Sequence, residues 1–265
     1  MKRLIYQVYL GKRSKLYDHC IDSVKKYCQK HGIDHHIQSE PILKILPDMS
    51  RTNRNKNGLM KEMGYLPIYE KENAFDFLKP VGEYDQVAVI DADIYIRENA
   101  SNIFDELGPE FDFGGVVERE MPLSKPHRNK IRGYSNDMFK SLTDVDWKWN
   151  DDGAEFMNMG MMLMNASLRD HLGDESPEQF IRRPEFRDFV DGIGYWKFSS
   201  DQVILNYWIK KDGIRAKNLH WKWNTMYRGV EDKYIKDGQF IHFFLKQQLP
   251  ARGENISQLM AGIGK

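Results

Sequence analysis

Apolar residues in this chain gather in short dense runs separated by charged, irregular stretches, the pattern of alternating strands and helices. The chain is organised around Val87-Ala88-Val89-Ile90, which leads straight into Asp91-Ala92-Asp93 and then Ile94-Tyr95-Ile96. An unbroken apolar run of this kind predicts a strand buried on both faces, hence a central strand of a covered parallel sheet. Side chains alternate along a strand, so Asp91 and Asp93 are expected to point the same way where it leaves the sheet. A second Asp-x-Asp, at Asp144 and Asp146, follows no such strand.

In chain order, Leu4 to Leu10 predicts a first strand, followed by a short basic loop from Gly11 to Lys15. A helix from about Leu16 to His31 should end at Gly32, and Ile33 to Ile37 predicts a second strand. This opening suits a nucleotide-binding half-sheet. The stretch 47–58 gathers Arg51, Arg54 and Lys56 in an irregular loop, read either as solvated or as folding over phosphates. A helix is expected from Pro67 to Leu78, with Asn99 or Ser101 capping a short one that carries Ile103 and Phe104. Phe111 to Val117 predicts a strand, and residues 119–150 a long excursion poor in pattern. Glu155 to Asn165 predicts an apolar strand interrupted only by Asn158 and Gly160. Glu178 to Val190 reads as one charged surface helix, and Ser199-Ser200-Asp201 as the start of another. Ile214 to Leu219 and Phe240 to Phe244 predict the last strands, and from Arg252 onward the tail reads as loosely held. The organisation expected is α/β, with one domain over 1–250 and a tail over 251–265.

Charge narrows the function. Lys plus Arg and Asp plus Glu each number 39, so no overall basic field favours general nucleic-acid binding. Cys20 and Cys28 share one predicted helix, too far apart for a disulfide, which fits a reducing cytoplasm. The N-terminal apolar stretch is too short and too polar for a signal or a transmembrane helix. Two close carboxylates repel unless a proton or cation lies between them, so Asp91 and Asp93 are candidate metal ligands.

Five segments taken in order resemble the GT-A-fold glycosyltransferases, in particular the family 8 type of glycogenin and lipopolysaccharide galactosyltransferase. They are the N-terminal strand, Tyr84 to Asp93, Phe156-Met157-Asn158-Met159-Gly160, Asp201-Gln202-Val203-Ile204-Leu205-Asn206, and Phe240-Ile241-His242-Phe243. The resemblance implies a mixed, mainly parallel Rossmann-like sheet with helices on both faces. It also implies transfer of a sugar from a nucleotide sugar, a UDP-sugar above all, to an unknown acceptor with retention of configuration. Asp91, Asp93 and His242 would hold Mn2+ or Mg2+. Val8, Tyr9, Lys71, Asp91, Ala92, Asp93, Asn158, Gly160 and Lys246 would contact the donor, with Asp201 and Gln202 beside the reacting carbon. Three departures stand out: Val203 follows Asp201-Gln202 where the family often has a further Asp, the family's basic residue before the Asp pair has only the offset Lys71 as its nearest counterpart, and Lys246 alone survives of a Gly…Lys-Pro-Trp segment. An apolar strand leading into Asp-x-Asp also occurs in haloacid-dehalogenase-like phosphatases. A non-catalytic sugar-nucleotide binder would share the same residues. The acceptor is expected in the loops 119–150 and 221–230, where Trp221 and Trp223 either stack on sugar rings or pack in the core.

Overall fold

The computed structural model describes residues 1–54 and 59–264. Asn55, Lys56, Asn57 and Gly58 of the expected basic loop lie outside the described residues. In order, the elements are β1 (Arg3–Val8), α1 (Lys15–His31), β2 (Asp34–Gln38), α2 (Leu59–Met63), β3 (Gln86–Ile90), β4 (Ile94–Ile96), β5 (Phe113–Val117), α3 (Lys125–Phe139) and β6 (Met157–Asn165). Then come α4 (Pro177–Ile181), α5 (Arg187–Asp191), α6 (Asp201–Lys211), β7 (Ala216–Asn218), β8 (Thr225–Met226), β9 (Phe240–His242) and α7 (Ile256–Gly262).

The main sheet runs β2-β1-β3-β6-β5-β7. The pairings β1 with β2, β1 with β3 and β5 with β7 are parallel, whereas β6 lies antiparallel to both β3 and β5. Every residue of β3 and of β6 is buried, as expected of strands covered on both faces. Removing each Val or Ile side chain of β3 from water contributes about 1.5–3 kcal/mol. The expectation of a parallel neighbourhood for β3 holds on its β1 side only, because β6 returns in the opposite direction. A second, smaller sheet runs β4-β9-β8. The extended Ile94–Ile96 segment therefore belongs to a different sheet from β3, and the turn at Asp91-Ala92-Asp93 joins the two.

Helix α1 buries Leu16, Cys20, Val24 and Tyr27 along one face and ends at Gly32, whose φ of 63° is open to glycine at little cost. Cys20 and Cys28 are both free and buried on this helix. Several elements differ from expectation. Residues 67–77 form tight helical turns, with buried Glu70 accepting the backbone N–H groups of Ile42, Leu43 and Lys44. The cap before Ile103 is Asn102, whose side chain accepts the N–H of Phe104, while Ser101 is bonded to Gln239. The 119–150 excursion contains α3, which buries His127, Ile131, Ser135 and Met138. The single helix expected over 178–190 is two, because Pro184 cannot donate to a helix running through it. The tail is docked rather than loose: Leu259 and Ile263 are buried, and the Ile263 carbonyl accepts from Arg97 at 2.5 Å.

Candidate active site

Where β3 ends, the chain turns sharply. The Asp91 N–H donates to the Gly160 carbonyl at 2.8 Å, and the Ile94 N–H to the Asp91 carbonyl at 3.0 Å. The Asp93 carbonyl accepts from the Phe243 N–H at 3.0 Å, tying the turn to β9. Pairing of Ile94 with His242 brings the imidazole beside both carboxylates. His242 Nε2 lies 3.3 Å from Asp93 Oδ1 and 3.8 Å from Asp91 Oδ2. One potential ligand atom from each of the three residues lies within 4.8 Å of the others. Two carboxylate oxygens and one imidazole nitrogen form a donor set that fits a hard divalent cation, and manganese tolerates the nitrogen best. Burial raises the Asp91 pKa and Asp93 raises it further, while Lys71 and His242 oppose the shift. Burial works against a charged His242, but Asp93 and Asp91 outweigh it and hold its pKa above the usual value. In each case the neighbouring carboxylates favour the protonated form.

Lys71 links this cluster to Asp201. Its ammonium lies 3.1 Å from Asp91 Oδ1, 2.5 Å from Asp201 Oδ2 and 2.9 Å from the Met159 carbonyl. Burial alone would favour the neutral amine, but the two carboxylates reverse that and push the Lys71 pKa up. Asp201 is buried at the first position of α6, where the helix dipole favours negative charge. The Ser200 side chain caps that end by accepting the N–H of Gln202. Gln202 Oε1 accepts from the Met159 N–H at 3.2 Å, and its Nε2 donates to the Tyr134 hydroxyl at 3.4 Å.

Lys71, Asp91 and Asp201 open into a cleft of about 460 Å3, which Val8, Lys12, Tyr17 and Lys246 also line. The Lys246 ammonium sits 3.6 Å from the centre of the Tyr17 ring, a cation–π contact, and burial lowers its pKa. Tyr9 braces this wall, its hydroxyl accepting from the Ser14 N–H and its ring edge-on to Tyr17.

No protein-family model matches the sequence, and no curated protein matches it. Solved structures do match in shape. The galactosyltransferase LgtC, in complex with donor and acceptor sugar analogs, shares 12% identity with a TM-score of 0.56, over 98% of this chain and 95% of that one. A glycosyltransferase involved in the glycosylation of the major capsid of PBCV-1 shares 13% identity with a TM-score of 0.51, over 97% and 100%. Mouse xyloside xylosyltransferase 1 shares 11% with a TM-score of 0.50, over 94% and 100%. The fold is that of the GT-A glycosyltransferases.

In this GT-A fold the remaining residues expected at the site have definite places. Ala92 lies in the turn between the two carboxylates. Asn158 and Gly160 face inward from β6: the Asn158 amide bonds Glu118, Asn224 and the Gly160 N–H. In the basic loop, Arg51 pairs with Asp188 and Asp191, and Arg54 is buried against the carbonyls of Phe189 and Ser199. These two arginines are therefore committed to α5 and its flank rather than to a phosphate. Trp223 is fully buried and packs in the core, whereas Trp221 is half-buried, edge-on to Tyr234, and lines a surface cleft with Asn218 and His220. Reading the sequence alone overlooked Lys12, Tyr17 and Asn224. The basic character of residues 11–15 pointed toward Lys12, whereas Tyr17 and Asn224 carry no local signal.

Proposed function

We propose that this protein transfers a sugar from a nucleoside diphosphate sugar, a UDP-sugar in particular, to a hydroxyl acceptor with retention of configuration. The observation that carries this is the clustering of Asp93 and His242 with Asp91, a carboxylate that also lines the cleft holding Lys71, Asp201 and Lys246. Asp91, Asp93 and His242 would hold a divalent cation, manganese by its donor set. When bound, the cation supplies positive charge against the departing diphosphate, with no proton bookkeeping.

The protein's own groups do the rest. Lys246 and Lys12 line the cleft as positive charges for phosphate oxygens. Asp201 is held by Lys71 and by the capped start of α6, so its carboxylate is already oriented to accept hydrogen bonds from donor-sugar hydroxyls. Gln202, fixed by Met159 and Tyr134, stabilises charge near the reacting carbon. The phosphatase reading finds no support, since the Asp pair follows the third strand and the similar folds are glycosyltransferases.

A thermal-shift series of UDP, GDP and their sugars, with and without Mn2+, tests this reading together with chromatography of released nucleotide. Stabilisation by a UDP-sugar that needs Mn2+ and is abolished in Asp91→Asn is expected. Equal binding with chelator present would remove the metal from the proposal, and release of inorganic phosphate alone would favour the phosphatase.

A further inference from the structure

Behind the candidate cation ligands lies a chain of buried polar side chains: His242, Asn224, Asn158, Glu118 and His127. Buried amides and carboxylates are costly unless bonded, and these bond one another. Their directions follow from one backbone group. The Gly160 N–H can only donate, and it donates to Asn158 Oδ1 at 3.0 Å, which fixes the carbonyl end of that amide. Asn224 meets the same oxygen at 2.8 Å, so it presents its NH2 there. Its carbonyl Oδ1 is then the end that meets His242 Nδ1 at 3.0 Å. The far side agrees: Asn158 Nδ2 faces Glu118 Oε2 at 3.1 Å, and Glu118 Oε1 lies 3.4 Å from His127 Nε2. Gly160 serves twice, because a Cβ there would lie 2.3 Å from His242 Cε1 and 2.7 Å from Nδ1.

We propose that Asn224 is a positioning residue that holds His242 with a proton on Nδ1, so that Nε2 is the atom presented to a cation at Asp91 and Asp93. An oxygen acceptor at Nδ1 requires a proton there; Nε2 faces Asp93 Oδ1 at 3.3 Å, and a cation bound between the carboxylates would take the place of any Nε2 proton. Outer partners of this kind orient a ligating imidazole, and their loss typically weakens metal binding about ten- to a hundredfold. Asn158 and Gly160 act here through the ring: one sets the direction of Asn224, the other leaves room for the imidazole. The proposal rests on the cation reading above, while the Nδ1–H bond to Asn224 does not.

The test has two arms. In the metal-free protein, the 15N shift of His242 Nδ1 should be that of a protonated nitrogen. An unprotonated Nδ1 would overturn the proposal, and this arm needs neither a metal nor a substitution at Asn224. In the second arm, Mn2+ alone is titrated by electron paramagnetic resonance. Asn224→Ala should bind it about ten- to a hundredfold more weakly, and Asn224→Asp, which keeps an acceptor for Nδ1–H, should recover most of the loss. Asn224→Ala should add nothing once His242 is already Ala. Wild-type affinity in Asn224→Ala, or an equal further loss in the His242→Ala background, would reduce Asn224 to a structural staple. Absence of Mn2+ binding in the wild type would count against the cation reading, while the 15N arm would still decide whether Nδ1 donates to Asn224.

Discussion

At the scale of single residues, the site is a balance of carboxylates against one ammonium. Lys71 neutralises Asp91 and Asp201 together, and its side chain is 13% exposed. Replacing it by Met leaves both carboxylates without that partner, at a cost of about 3–5 kcal/mol in the metal-free protein. Mn2+ should then raise the melting temperature of Lys71→Met more than that of the wild type, because the cation meets a site with more uncompensated charge. Equal increments would show that Lys71 and the cation act independently. Asp201 is different in kind, since it starts a helix and faces the cleft. Asp201→Asn should lower kcat by about a hundredfold or more and leave the Kd for Mn2+-UDP nearly unchanged. Measuring both constants separates this from a folding defect, which would reduce both.

At the scale of elements, Gly160 shows how tightly β6 and β9 are fitted. A methyl group there must displace the His242 ring, and the clash is with a buried side chain held by Asn224. Gly160→Ala is expected to cost about 1–3 kcal/mol in denaturant midpoint and to weaken Mn2+ binding as well. A variant that lost stability and kept its affinity would show that the ring can move aside. How much of this was readable beforehand depends on how local each signal is. β3 and β6 announce themselves because burial on both faces leaves unbroken apolar runs. The Asp pair is visible for the same reason, as charge abruptly ending such a run. α3 stayed hidden because two of the residues it buries, His127 and Ser135, are polar, and its periodicity appears only once their partners are known. The docking of α7 carries no local signal either: Arg97, which donates to the Ile263 carbonyl at its end, is far away in sequence. Lys71 resembled an offset match in sequence. It reaches Asp91 and Asp201 from a run of tight turns whose advance per residue no motif spacing could supply.

At the scale of the molecule, stability should depend on pH through a group that does not line the cleft. His35 on β2 is half-buried beside Gln7, and burial, with help from His36 and Lys25, pushes its pKa from 6.5 down to about 4. A folded-state pKa below the unfolded one means that the ring is bound neutral. Its contribution is therefore complete above pH 6.5 and is lost as the pH falls from there toward 4. Urea unfolding of the wild type and His35→Gln across that window should diverge, with the variant giving the flatter profile. Parallel profiles would place the acid sensitivity elsewhere. The two sheets carry a consequence for the order of events during synthesis. Asp91 ends a strand of the main sheet, Asp93 leads into the small one, and the imidazole that joins them sits on β9, which pairs with β4 only after most of the chain has been made. Long-range pairing of this kind forms late, after the entropy of the intervening loop has been overcome. A nascent chain therefore displays its two carboxylates well before it can offer a third ligand, and cation capture should coincide with closure of the small sheet rather than precede it.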